Sequence, residues 1–117
     1  MTGLEKAGIM EEAGDAVVVL VACPDEESAE AIAWALVEER LAACVSATAD
    51  VRSVYRWRGA VEEAAERLLL VKARADRLDA LAARVVELHP YEVPEILALP
   101  VARALGPYLE WLRADGG

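Results

Sequence analysis

An α+β fold with the element order β-α-β-β-α-β, followed by one further helix, is predicted for this chain by three features of its sequence. Ala16 to Ala22 is an unbroken apolar run rich in valine, two later stretches read as the arms of a long hairpin, and two helical stripes fall between strands. At 117 residues the chain makes one domain. The expected organisation is a flexible N-terminal extension over 1–15 and a single domain over 16–117.

The extension mixes Glu5, Lys6, Glu11, Glu12 and Asp15 with three glycines, and it lacks the basic start and apolar core of a secretion signal. A cytoplasmic location is therefore expected. Hydrophobic residues make up 56% of the chain, yet no apolar run approaches the roughly 20 residues that span a bilayer. Twelve basic and twenty-one acidic residues leave a net charge of -9, which repels a phosphate backbone and favours cations as ligands. No membrane and no nucleic acid are expected as partners. Cys23 and Cys44 form no Cys-x-x-Cys pair and are expected as free thiols.

Ala16–Ala22 reads as a central strand, ended by Cys23-Pro24. Asp25 can cap the helix that follows, from about Glu26 to Arg40, with Glu26 and Glu27 favoured in the first turn by the helix dipole. Ala29, Ile32, Ala33, Leu36 and Val37 form its apolar stripe, and Trp34 lies off that stripe. From Ala43 the period changes to two, and the strand resumes after Ala49-Asp50 with Ser53, Tyr55 and Trp57 on one face and Arg52, Arg56 and Arg58 on the other. The interruption predicts a bulge or bend. Gly59 begins a turn, and the chain returns from Val61 as the second hairpin arm, whose apolar run Leu68 to Val71 is continued by Lys72 and Arg74, with Lys72 on the face of Leu68 and Leu70. Snorkelling is the expected fate of its ammonium.

Asp76, with Asp79 three residues on, is a candidate cap for a second helix whose stripe is Leu78, Leu81, Ala82, Val85 and Leu88. Pro90 stops it and hands His89 to a loop. The segment Leu88–Pro100 holds the chain's one histidine and three of its five prolines, so its path is stiff and His89, Tyr91, Glu92 and Glu95 are presented at low entropic cost. A strand from Glu95 to Val101 follows, with Pro100 marking an edge or the end of pairing. Gly106-Pro107 opens a short helix, Tyr108 to Arg113. The whole is the split arrangement of ferredoxin-like folds, in which two helices cover one face of the sheet. The other face and the overlong hairpin predict a closed homo-oligomer, a threefold ring being the form that brings three copies of a side chain together.

Taken together, the motifs identify a relation. Val17-Val18-Val19-Leu20 with Cys23-Pro24-Asp25, Leu41-Ala42-Ala43-Cys44-Val45, Ser53-Val54-Tyr55-Arg56-Trp57 with Gly59, and Leu69-Leu70-Val71-Lys72 are the first four. His89-Pro90-Tyr91-Glu92-Val93-Pro94-Glu95-Ile96, Ala98-Leu99-Pro100 and Tyr108-Leu109-x-Trp111-Leu112 complete a set that resembles the CutA divalent-cation tolerance family from about Val17 to Leu112. The resemblance implies a ferredoxin-like fold in a tight, PII-like homotrimer of the cytoplasm that serves tolerance of divalent metals, copper especially. It also implies copper ligation through cysteine and histidine, which here map to Cys44 and His89, whereas Val21 and Arg84 stand where some members carry further cysteines.

The leading functional expectation is a trimeric protein of divalent metal tolerance, with metal held near subunit interfaces by His89, Cys44, Glu92 and Glu95. No cofactor is obligatory, and copper or another divalent ion is the expected ligand. The alternative is a PII-like signalling or adaptor trimer that takes a small anion in an inter-subunit cleft lined by Tyr55, Trp57, Lys72, Tyr91 and Arg56. It is weakened for nucleotides by the lack of a glycine-rich phosphate loop. No nucleophile with a nearby histidine motif appears, and an enzyme is not expected.

Overall fold

A computed structural model describes residues 9–115. In chain order the elements are strand β1 (Met10–Glu12), β2 (Ala16–Cys23), helix α1 (Glu26–Glu38), β3 (Cys44–Trp57), β4 (Ala60–Arg74), a 3-10 turn (Ala75–Arg77), α2 (Leu78–Leu88), β5 (Ile96–Pro100), β6 (Arg103–Leu105) and α3 (Gly106–Asp115). Four strands form an antiparallel sheet in the order β3-β4-β2-β5, the split β-α-β order expected from the sequence. No helix among the described residues is long and apolar enough to cross a membrane.

The β-branched run becomes the interior strand β2, paired on both sides, with Val19 opposite Val71 of β4 and Ala98 of β5. Its odd-numbered residues Val19, Val21 and Cys23 are fully buried under α1 and α2, which contribute Ile32, Leu36, Leu81 and Val85. Its even-numbered residues Val18 and Leu20 share the opposite face with Leu68, Leu70, Leu97 and Leu99, the face that α1 and α2 do not cover. Leu97 and Leu99 remain 53% and 48% exposed. Helix α3 covers one end of that face, burying Leu109 and Leu112 against Ala13, Ala16 and Ala43.

Local chemistry sets the boundaries. Asp25 caps α1 by accepting the Ser28 N–H at 2.8 Å. The helix stops at Glu38, two residues earlier than expected, because Arg40 turns into the left-handed region at φ 59°. Asp76 does not cap α2: Arg74 holds its carboxylate in an ion pair, the 3-10 turn intervenes, and the N-cap position is Arg77, with no side-chain cap. The fifth strand begins at Ile96 instead of Glu95, and the last helix extends beyond Tyr108–Arg113 to Gly106–Asp115. Part of the expected extension lies outside the described residues, but Met10–Glu12 is a strand paired with β6, an element the sequence did not reveal.

The hairpin β3–β4 is closed by a two-residue turn, Arg58 at φ 50° and Gly59 at φ 81°. Two successive positive φ angles are what a type I′ turn needs, and glycine takes the second without strain. A bulge between Ala47 and Asp50 sits where the interruption predicted it. It also reverses the strand's facing. Val45 lies toward the helices with Val71, whereas Ser53, Tyr55 and Trp57 lie on the other face with Ala64, Glu62 and Ala60. The hairpin projects, giving extents of 54 × 26 × 22 Å and a radius of gyration of 16.0 Å. A compact chain of this length is expected near 13 Å.

Burial, with the charges of Asp25 and Glu66, pushes the Cys23 thiol up to about 11, from an ordinary value of 9.0. The unfolded chain therefore loses this proton first, so the stabilisation is complete below pH 9 and is lost as pH rises toward 11. One unit is about 1.4 kcal/mol, which puts the loss at up to about 3 kcal/mol. Urea unfolding free energies measured from pH 8 to 11 should fall, and Cys23→Ala should flatten the fall. An unchanged slope in that variant contradicts the assignment.

Candidate functional site

His89 is placed by the end of α2. Its backbone N–H closes the helix on the Val85 carbonyl at 2.8 Å, and Pro90 forces the chain into an extended path. The imidazole is buried, and its Nε2 lies 2.6 Å from the Ala22 carbonyl oxygen. That oxygen can only accept, so Nε2 carries the hydrogen, and Nδ1 is left as the acceptor for the Tyr91 N–H at 3.1 Å. Pairing of β2 with β5 stops at Val21–Ile96, and His89 binds the next residue along. Both ring nitrogens are used within the chain.

Tyr91 continues the chain of contacts. Its ring lies 4.9 Å from the imidazole, and its hydroxyl donates to Glu66 Oε2 at 3.3 Å. Burial raises the Tyr91 hydroxyl above its ordinary range, and the Glu66 charge adds to the effect. Between this loop and the projecting hairpin runs a groove of about 980 Å³. Tyr55, Trp57 and Tyr91 supply aromatic wall, and Glu62, Glu66, Glu92 and Glu95 supply carboxylates. No lysine or arginine among the described residues lines it.

Of the expected metal set, Glu92 and Glu95 thus reach the groove, while His89 sits beneath it with its lone pair occupied. Cys44 is elsewhere. It lies opposite Lys72, itself opposite Val18, four residues along β2 from the carbonyl that His89 binds. That is roughly 13 Å along the strand. Among the described residues, no three His, Cys, Asp or Glu side chains gather as a metal cage. A His89–Cys44 copper site therefore does not fit within one protomer.

Of the expected anion cleft, Tyr55, Trp57 and Tyr91 come together, but Lys72 and Arg56 do not join them. Lys72 meets no carboxylate: its half-buried stem carries Nζ out to the exposed Ser46, whose Oγ accepts at 2.6 Å. Arg56 falls on the hairpin face opposite Tyr55, across from Val61. Sequence reasoning missed Glu62 and Glu66. The signal was their four-residue spacing, which puts both on one strand face, while Glu63 points away and pairs with Arg52.

Removing the imidazole leaves the Ala22 carbonyl and the Tyr91 N–H without partners, at about 1–3 kcal/mol for each group. His89→Ala should lower the urea unfolding free energy by about 3 kcal/mol at fixed protein concentration, whereas Glu92→Gln should stay within about 0.5 kcal/mol. Equal effects from the two variants contradict the structural role of His89.

A family model described as "CutA1 divalent ion tolerance protein" matches residues 17–115. The divalent-cation tolerance protein CutA of Thermus thermophilus is 54% identical over 100 residues, covering 86% of this chain and 97% of the relative. Human Protein CutA is 44% identical over 86% of this chain, which spans 56% of the human sequence. The Thermus structure superposes with a TM-score of 0.85 at 53% identity, covering 87% of this chain and 99% of that one. CutA from Synechococcus elongatus gives 0.89 at 35% identity, covering 96% and 99%. On that match across nearly all of the described residues, this chain belongs to the CutA1 divalent ion tolerance protein family.

Proposed function

We propose that the protein acts in divalent-cation tolerance as a homotrimer, with divalent ions, copper among those to be tested, held where protomers meet. The groove carries this reading: four carboxylates face a cleft without a basic side chain, in a molecule of net charge -9. Glu92 and Glu95 are the proposed donors, with Glu62 and Glu66 beside them. His89 joins only through Nδ1, if the hydrogen bond from the Tyr91 N–H opens while Nε2–H stays on the Ala22 carbonyl, and Cys44 only from a neighbouring protomer. Oxygen donors of this kind suit harder divalent ions better than copper in its reduced form.

Assembly is supported by the sheet face that carries Leu97 and Leu99 into solvent and by a hairpin whose tip projects without a partner strand beyond its own two arms among the described residues. Two unpaired thiols, Cys23 and Cys44, support a reducing compartment such as the cytoplasm. The anion-binding adaptor reading draws no support from the groove, because Lys72 and Arg56 lie outside it.

Sedimentation of the purified protein should give a trimer, and Leu99→Asp should shift it toward monomer; wild-type monomer at micromolar concentration contradicts assembly. In calorimetric titration of metal-free protein with Zn²⁺ and Cu²⁺, the double change Glu92→Gln with Glu95→Gln should weaken binding about tenfold, and Cys44→Ser should leave it unchanged. Loss of binding in Cys44→Ser restores the cysteine site, and nucleotide binding with metals indifferent favours the adaptor.

A further inference from the structure

The groove is more than a row of carboxylates. Three aromatic rings, Tyr55, Trp57 and Tyr91, form part of its wall, and an inorganic divalent ion, which keeps its water and oxygen ligands, makes no use of them. Rings and carboxylates together are the chemistry that recognises an organic cation: the ammonium takes the carboxylate charge, and its alkyl carbons lie on the ring faces.

Two further observations point the same way. Glu66 is more than nine-tenths buried, yet its one hydrogen bond among the described residues is the 3.3 Å contact from Tyr91 Oη, beyond the usual range for a hydroxyl donor. The carboxylate lines the groove, where a cation can add to that single long contact. The Trp57 ring already holds a cation, since the Arg58 guanidinium carbon sits 5.5 Å from its centroid. That ring is therefore presented in a way that accepts positive charge.

The spacing narrows the ligand class. Glu62 and Glu66 share one face of β4 at four residues' separation, roughly 13 Å between Cα atoms. A compact amine meets one of them at a time, whereas a linear aliphatic amine with charges at both ends can span the pair. The volume of about 980 Å³ lies at the upper end of ordinary small-ligand sites. We propose that the groove between the projecting hairpin and the proline loop is a binding site for a linear aliphatic polyamine, its ammonium groups on Glu62 and Glu66 and its alkyl chain along Tyr55 and Trp57. This inference stands apart from divalent-ion binding, since it rests on the aromatic wall and on Glu66, and it is tested on metal-free protein.

The test is calorimetric titration of the assembled, metal-free protein with spermidine at physiological ionic strength, with 1,4-butanediol as a neutral alkyl control and Mg²⁺ as an inorganic one. Saturable spermidine binding is expected, with no binding of the diol. Glu66→Gln should weaken it at least fivefold, Trp57→Leu at least threefold, and Glu30→Gln, on α1 away from the groove, not at all. Trp57 is 56% exposed, so its variant tests the proposal even where Glu66→Gln fails to fold. No spermidine binding, equal weakening by Glu30→Gln, or Mg²⁺ displacing spermidine with Trp57→Leu unaffected each overturn the proposal.

Discussion

The hydrogen bonds of one buried imidazole organise the functional end of this molecule. His89 ties three separate pieces together: Nε2 holds β2 at Ala22, Nδ1 holds the loop at Tyr91, and its backbone closes α2 on Val85. Through Tyr91 the linkage continues to Glu66 on β4. Pro90 and Pro94 stiffen the backbone of the loop, but stiffness alone does not dock it. The imidazole does, and the groove exists because the loop is docked beside the hairpin. A histidine used in this way is not a ready metal ligand, since ligation needs the lone pair that the Tyr91 N–H already occupies.

The second constraint is the bulge at Ala47–Asp50. A strand with period two and no irregularity would carry Tyr55 and Trp57 onto the same side as Val45, over the helices. One extra residue reverses the parity, and the hairpin's aromatics come instead to the face where Tyr91 and Glu66 wait. The same face carries the uncovered Leu97 and Leu99. Candidate ligand groove and candidate subunit contact are thus parts of one surface, which gives a physical reason for assembly and binding to be linked in this protein.

Much of this was legible in the residues. The valine run, the two helical stripes, the Asp25 cap, the hairpin and its bulge all depend on local periodicity or capping chemistry, and each is where the pattern put it, except that Val37, counted in the first stripe, is exposed. The pairing of Met10–Glu12 with Arg103–Leu105 was not legible, because two three-residue strands joined across the length of the chain carry no periodic signal. Asp76 misled because a neighbouring Arg74 competes for the same carboxylate, an outcome that spacing does not encode. At the site, residue types pointed to the right segment but to the wrong company. Glu92, Glu95, Tyr55, Trp57 and Tyr91 do meet, whereas Cys44 and Lys72 sit farther along the sheet and Glu62 and Glu66 take part unannounced. Register across β3 and β4 decides that membership, and register is a property of the fold.

The measurement that bears most directly on this account is the tautomeric state of His89, read from long-range proton–nitrogen NMR of ¹⁵N-labelled protein. A single fixed tautomer, protonated on Nε2 and bare on Nδ1, is predicted, with both nitrogen resonances unmoved when Zn²⁺ is added to saturation. Rapid averaging between tautomers, or a ring nitrogen that shifts on metal addition, contradicts it.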